Sequence, residues 1–326
     1  MKKLLIAFVV TTLFTATATL NAQVILNEYN AVSGSNHLDE VLFADSDQAD
    51  TAFGRIQGNG GNWFELLVIG DAESSIVDMR GWTLNWTEEE EVSPGVNAQG
   101  TITLSNDSIW AAVERGTMLT FIETPDAGGI AGINTSTDVS FDPSADDWHM
   151  NFCTTQEQVS GTLLTAATND GLAGEFSVGN DNWQLTIMDA DGNVVSGPTG
   201  EGDGNLSGVS SREVGKLEGL IAPDATLDGW LALELATAPY DDGTSSSFGG
   251  ANLFSGGTQM QDLSALRAQT LLGDVNQDGE VNFSDIGPFI GFLSSNMFLA
   301  EADINQDQMV DFQDISPFIG LLSNPQ

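Results

Sequence analysis

A mainly β protein carrying a small helical module at its C-terminal end is the architecture this sequence predicts. Short runs that alternate apolar and polar residues, divided by Gly, Asn, Asp and Ser clusters, fill most of the chain. No strand-then-long-helix alternation occurs, so a doubly wound fold is disfavoured and a β-sandwich favoured. The last stretch, 271–326, instead contains two near-identical acidic segments, each followed by an apolar pattern of helical period.

The chain opens with Lys2 and Lys3, an apolar run from Leu4 to Val10 continued by Leu13 and Phe14, and the small and polar end Thr19-Leu20-Asn21-Ala22. This is the layout of a secretory signal peptide over 1–22, with cleavage expected after Ala22 and a secreted, extracellular or cell-surface destination. As a membrane anchor the run falls short of the ~20 apolar residues a span needs, and no later stretch supplies them. The single cysteine, Cys153, permits no internal disulfide, so packing or metal must hold the exported chain together. Loss of Lys2 and Lys3 with the leader takes the formal charge from −39 to −41. Such a field repels phosphate backbones and anionic membranes, excludes nucleic acid as a partner class, and attracts cations.

Strands are expected at Val24 to Leu26, Trp63 to Ile69, Trp82 to Leu84, Thr101 to Leu104, Met118 to Ile122, Trp183 to Met188 and Trp230 to Leu235. Asp189-Ala190-Asp191-Gly192-Asn193 reads as a hairpin turn leading to Val194 and Val195. Long inserts are expected near 37–61 and 126–175 and a mobile loop from Gly197 to Gly208, with a linker over 263–270 that holds a short helix at Leu263 to Gln269.

Three blocks in order, Ile25-Leu26-Asn27-Glu28-Tyr29-Asn30, Asn62-Trp63-Phe64-Glu65-Leu66 and Val77-Asp78-Met79-Arg80-Gly81-Trp82-Thr83-Leu84, resemble the opening of a bacterial lamin-tail-type domain. The hairpin from Trp183 to Val195 and the segment Ser246-Ser247-Phe248-Gly249-Gly250-Ala251-Asn252 are similar to that family's end. The resemblance implies an immunoglobulin-like β-sandwich over 23–262 in which these residues serve the sandwich itself, with no catalytic residue.

The spacing that carries chemistry lies further on. Asp274, Asn276, Asp278, Glu280, Asn282 and Asp285 occupy positions 1, 3, 5, 7, 9 and 12 of a calcium loop, with Gly279 at the sharp turn. Side chains would ligate at positions 1, 3, 5 and 12, the Glu280 backbone carbonyl at position 7, and Asn282 directly or through water. Val281 is expected to contact the partner loop as a short strand. The pattern recurs 29 residues later as Asp303, Asn305, Asp307, Met309, Asp311 and Asp314. Gln308 replaces the turn glycine there, so two Ca2+ sites are expected, the second weaker. Each loop leads into a matching helix, with Ile286, Phe289, Ile290 and Leu293, or Ile315, Phe318, Ile319 and Leu322, on one expected buried face and a proline in the first turn.

A loop-then-helix unit repeated twice, with Asp at position 12 and no apolar entering helix, resembles a type I dockerin over 271–326 more than a two-helix EF-hand. The resemblance implies a cohesin-like or cell-surface protein partner. It places the recognition residues in and after the loops, where this chain has Phe283-Ser284 and Phe312-Gln313 and no Lys or Arg.

Elsewhere the signals are weak. His149 and His37 are too few for a zinc site of the usual kind, and nothing beside Cys153 activates it. Glu88 to Glu91 reads as a solvated loop. Trp86, Trp110 and Trp148 could stack on sugars, although core packing suits most of the tryptophans. The leading expectation is therefore a non-catalytic, calcium-binding attachment protein. The alternative is a polysaccharide-binding or glycoside-hydrolysing component, and a third reading gives the acidic β-region its own calcium-sensing role.

Overall fold

A computed structural model describes residues 23–38, 49–71, 74–89, 97–130, 132–202, 206, 208–221, 225–233, 237–254, 259–267, 272–276, 280–295, 299–305 and 309–323. The expected signal peptide lies outside these residues. The protein is mainly β, with a small helical region at the C-terminal end.

One sheet has six strands in the order β13 (Tyr240–Gly243), β12 (Val214–Leu217), β1 (Val24–Asn30), β2 (Trp63–Val68), β7 (Met118–Ile122) and β8 (His149–Cys153). Its pairings are antiparallel except β7 with β8. The second sheet has five strands in the order β11 (Val194–Gly200), β10 (Gln184–Met188), β4 (Thr83–Glu89), β5 (Asn97–Leu104) and β9 (Leu164–Thr168). A small ribbon pairs β3 (Ile76–Val77) with β6 (Val113–Glu114). One apolar core joins both large sheets, with Tyr29 and Phe64 of the first against Trp183 beside the second, ring centroids 4.7 and 5.8 Å apart.

The two sheets differ in what covers them. Every residue of β1, β2 and β7 is buried, so the six-stranded sheet is covered on both faces. β4 and β10 alternate buried with partly exposed residues, and β9 likewise, which leaves the outer face of the five-stranded sheet to solvent.

A polar row crosses the covered outer face of the six-stranded sheet. The register places Lys216 beside Glu28, Glu28 beside Glu65, Glu65 beside Thr120, and Thr120 beside Asn151. A closing segment answers this row. Ser247 N–H donates to Glu28 (3.1 Å), Gly249 N–H to Glu65 (2.7 Å), and Lys216 Nζ to the Ser245 carbonyl. Asp50 accepts from Ser246 Oγ and Phe248 N–H on the same segment. Burial raises Glu28 to about 8 against the pull of Lys216, and raises Glu65 well above the carboxylate range. His149 packs under Gly249 and faces Thr120 Oγ1 at 2.8 Å, and burial lowers it to about 4. Asn27, at the bulge in β1, binds Glu65, Asn252 and Gln261, bolting the following chain to the sheet.

Several expectations are corrected. The strand expected at Trp230 to Leu235 is absent over its described residues, 230–233: α2 (Leu227–Leu231) forms there, capped by the Thr226 hydroxyl, and buries Trp230. Gly197 to Gly200 is not in a mobile loop but completes β11, paired with β10. The described residues of the 126–175 stretch supply β8, α1 (Thr154–Ser160) and β9. The short helix expected after Leu263 is present as α3 (Ser264–Arg267), and Leu263 and Leu266 join the sandwich core. The Asp189–Asn193 hairpin turn forms as expected, with Asp189 accepting from the N–H groups of Asp191 and Asn193. All seven tryptophans are buried.

Candidate metal centre

The acidic repeats fold as two equivalent loops, each leading into a helix, α4 (Ile286–Ser295) and α5 (Ile315–Ser323). In the first, the carboxylate of Asp285 accepts from Asn276 N–H at 3.0 Å and from Asn282 N–H at 2.8 Å. In the second, Asp314 accepts from Asn305 N–H at 3.0 Å and from Asp311 N–H at 2.8 Å. The position-12 aspartate thus ties positions 3 and 9 together in both loops, with the same distances.

Position 9 is used for capping. Asn282 Oδ1 accepts from Ser284 N–H at 2.7 Å and forms a capping box with Asp285. Asp311 Oδ1 accepts from Gln313 N–H at 2.6 Å. Asp274, Asp285, Asp303 and Asp314 are all at most 5 % exposed. Asn276 is exposed and Glu280 and Met309 lie on the surface, the Glu280 carboxylate accepting from Asn282 Nδ2. Asp278, Asp307, Gly279 and Gln308 lie outside the described residues. No group of three or more His, Cys, Asp or Glu is gathered for a metal among the described residues, where the position-5 carboxylates are missing from each loop.

The donor set fits calcium. It consists of oxygens alone, and two carboxylates per loop are buried in a segment, 271–326, that has no Lys or Arg to neutralise them. Both oxygens of Asp285 and of Asp314 are already aimed by main-chain donors, and a carboxylate retains lone pairs beyond those two bonds.

The two helices meet through Phe289 and Phe318, stacked at 4.2 Å and both buried, with Val275, Ala302 and Ile304 completing the small core. Ile286, Leu293, Ile315 and Leu322 pack on it. The expected buried face is corrected at one position per helix: Ile290 and Ile319 are more than half exposed. Phe292 and Leu321 pack on the core and take the place of those two isoleucines. Phe283 and Phe312, beside the position-9 caps, are 78 % and 82 % exposed. Neither Val281 nor Val310 lies in a strand, so the expected strand contact between loops is absent among the described residues; Val281 packs beside Gly273 instead.

Sequence spacing anticipated the two loops that Asp285 and Asp314 close. It missed the buried polar row of the sandwich, because isolated charges such as Lys216 and Glu28 carry no periodic signal that distinguishes burial from solvation.

No curated protein and no solved structure matches the chain significantly. Residues 272–322 match the family of the dockerin type I domain. With the paired loops, their shared closing bonds and the stacked helices, the C-terminal module is a type I dockerin domain, a calcium-binding module that implies a cohesin partner.

Proposed function

We propose that the protein is an exported, non-catalytic component of an extracellular or cell-surface assembly, held there by calcium loaded into both dockerin loops. The observation that carries this reading is the identical closure of the two loops by Asp285 and Asp314. Asp274, Asn276, Asp278 and Asp285 would hold one ion with the Glu280 carbonyl. Asp303, Asn305, Asp307 and Asp314 would hold the other with the Met309 carbonyl. Asn282 and Asp311, engaged in capping, would contribute through water. Bound calcium supplies charge neutralisation and, with it, folding free energy for a module whose own core is small. The second ion binds more weakly, because Gln308 stands where the first loop has Gly279. The large domain is an immunoglobulin-like sandwich of the lamin-tail type, and it travels as the cargo of the dockerin. The test is capture of the full chain by an immobilised cohesin domain with calcium and with a chelator. Capture that requires calcium supports the reading, and no capture in either condition overturns it.

A further inference from the structure

The two dockerin loops have the same residues at positions 1, 3, 5 and 12 and differ at positions 7 and 9. The first has Glu280 and Asn282 there; the second has Met309 and Asp311. Each pair contains one acid, so the difference moves a carboxylate between the two positions and leaves the formal charge of the loop the same. Charge count is one of the quantities that tune calcium affinity in loops of this kind, rigidity being the other.

The geometry at position 9 shows how the two arrangements correspond. In both loops one side-chain oxygen is committed to the helix that follows. Asn282 Oδ1 accepts from Ser284 N–H at 2.7 Å, and Asp311 Oδ1 from Gln313 N–H at 2.6 Å. The other end of the side chain is then an N–H donor in the first loop and a second carboxylate oxygen in the second. Asn282 Nδ2 uses that donor to hold the Glu280 carboxylate at 3.3 Å, although Glu280 is an exposed residue. The amide cannot turn over, because its nitrogen would then face the Ser284 N–H and the cap would be lost. Asp311 carries the charge itself, its Oδ2 3.5 Å from Gln313 Nε2, and Met309 brings no acid to hold.

We propose that Glu280 serves the first calcium site through its side chain as well as its main chain. Held by Asn282, its carboxylate supplies that loop with the negative charge that Asp311 supplies to the second, without ligating the ion. The proposal rests on the calcium reading given above. Because the carboxylate is exposed, water and salt screen it, so its effect is modest and depends on ionic strength.

The experiment is calcium titration calorimetry of the full chain at low and at high salt. Glu280→Gln, close in size and uncharged, should weaken one of the two binding events roughly two- to fivefold at low salt. The difference should vanish at about 0.5 M salt, where the screening length is about 4 Å. Adding Asn282→Asp, which caps a helix equally well, should restore the affinity by placing the charge at position 9. Asp311→Asn should weaken the other event, and Met309→Glu added to it should recover that one. Far-ultraviolet circular dichroism at saturating calcium checks that each variant is folded. Unchanged affinity in Glu280→Gln at low salt, a loss that persists at high salt, or a loss that Asn282→Asp does not restore would each overturn the proposal and leave the calcium sites standing. No calcium binding by the unsubstituted chain would overturn both.

Discussion

In the sandwich, Glu28, Glu65 and Asp50 are buried beneath a closing segment whose N–H groups, together with Lys216, answer them from within the protein. In the dockerin, Asp274, Asp285, Asp303 and Asp314 are buried as deeply, in a segment with neither Lys nor Arg. The first arrangement is closed and structural; in the proposed function the second is completed by calcium from outside. Burial of an acid therefore does not by itself mark a ligand site. What separates the regions is the Lys216 cation beside the sandwich row, against a segment 271–326 without Lys or Arg, and the size of the apolar core in each.

The largest effect that could break this contrast is removal of loop closure. Asp285→Ala with Asp314→Ala should leave the dockerin unfolded at any calcium concentration, a loss above about 4 kcal/mol for that module. The sandwich transition in calorimetry should stay unchanged. A single transition that moves as a whole would show that the two regions are not energetically separate.

The reciprocal change is Trp183→Ala, which empties the space against Tyr29 and Phe64. It should cost the sandwich about 3–5 kcal/mol in denaturant melts and leave calcium uptake intact.

A smaller effect sharpens the comparison through pH. Glu28 holds its proton up to about 8 in the folded protein, so the folded state binds more protons than the unfolded one between the ordinary carboxylate range and that value. Sandwich stability should therefore fall as pH rises from about 4.5 to about 8. His149, lowered to about 4, acts oppositely, adding stability as pH rises from about 4 to about 6.5. Glu28→Gln should flatten the decline at the alkaline end, measured as Tm against pH at constant calcium. An unaltered decline would remove Glu28 as its cause.

The smallest effect on stability concerns Phe283 and Phe312, whose exposure means that replacement by Ser should change the melting of the calcium-loaded dockerin by less than about 0.5 kcal/mol. Cohesin capture should weaken all the same, because these side chains lie at the places the resemblance gives to recognition.

How much of this was legible in the sequence follows from the physics of each part. The two loops were readable because their Asp and Asn spacing recurs 29 residues later, and the family match spans both. Strands β2, β7 and β10 were readable from apolar runs and alternation. β8 was not, since His149 and Asn151 interrupt its pattern and it pairs in parallel with β7, which no local signal announces. Trp230 was placed in a strand because its apolar neighbours outweighed the Thr226 cap that starts α2. Ile290 and Ile319 were assigned to the core because helical period alone does not say how wide a buried face is; the stacked Phe289–Phe318 pair set it. The row from Lys216 to Asn151 depended on strand order, which only the folded chain reveals.

The central claim is that the dockerin is completed by calcium. Isothermal calorimetry of the full chain, followed by far-ultraviolet circular dichroism, tests it most directly. The account predicts two binding events of unequal affinity, the tighter one lost in Asp274→Ala and the weaker one in Asp303→Ala, with helix gained as the sites fill. Absence of calcium binding, or binding that survives Asp285→Ala with Asp314→Ala unchanged, would contradict it.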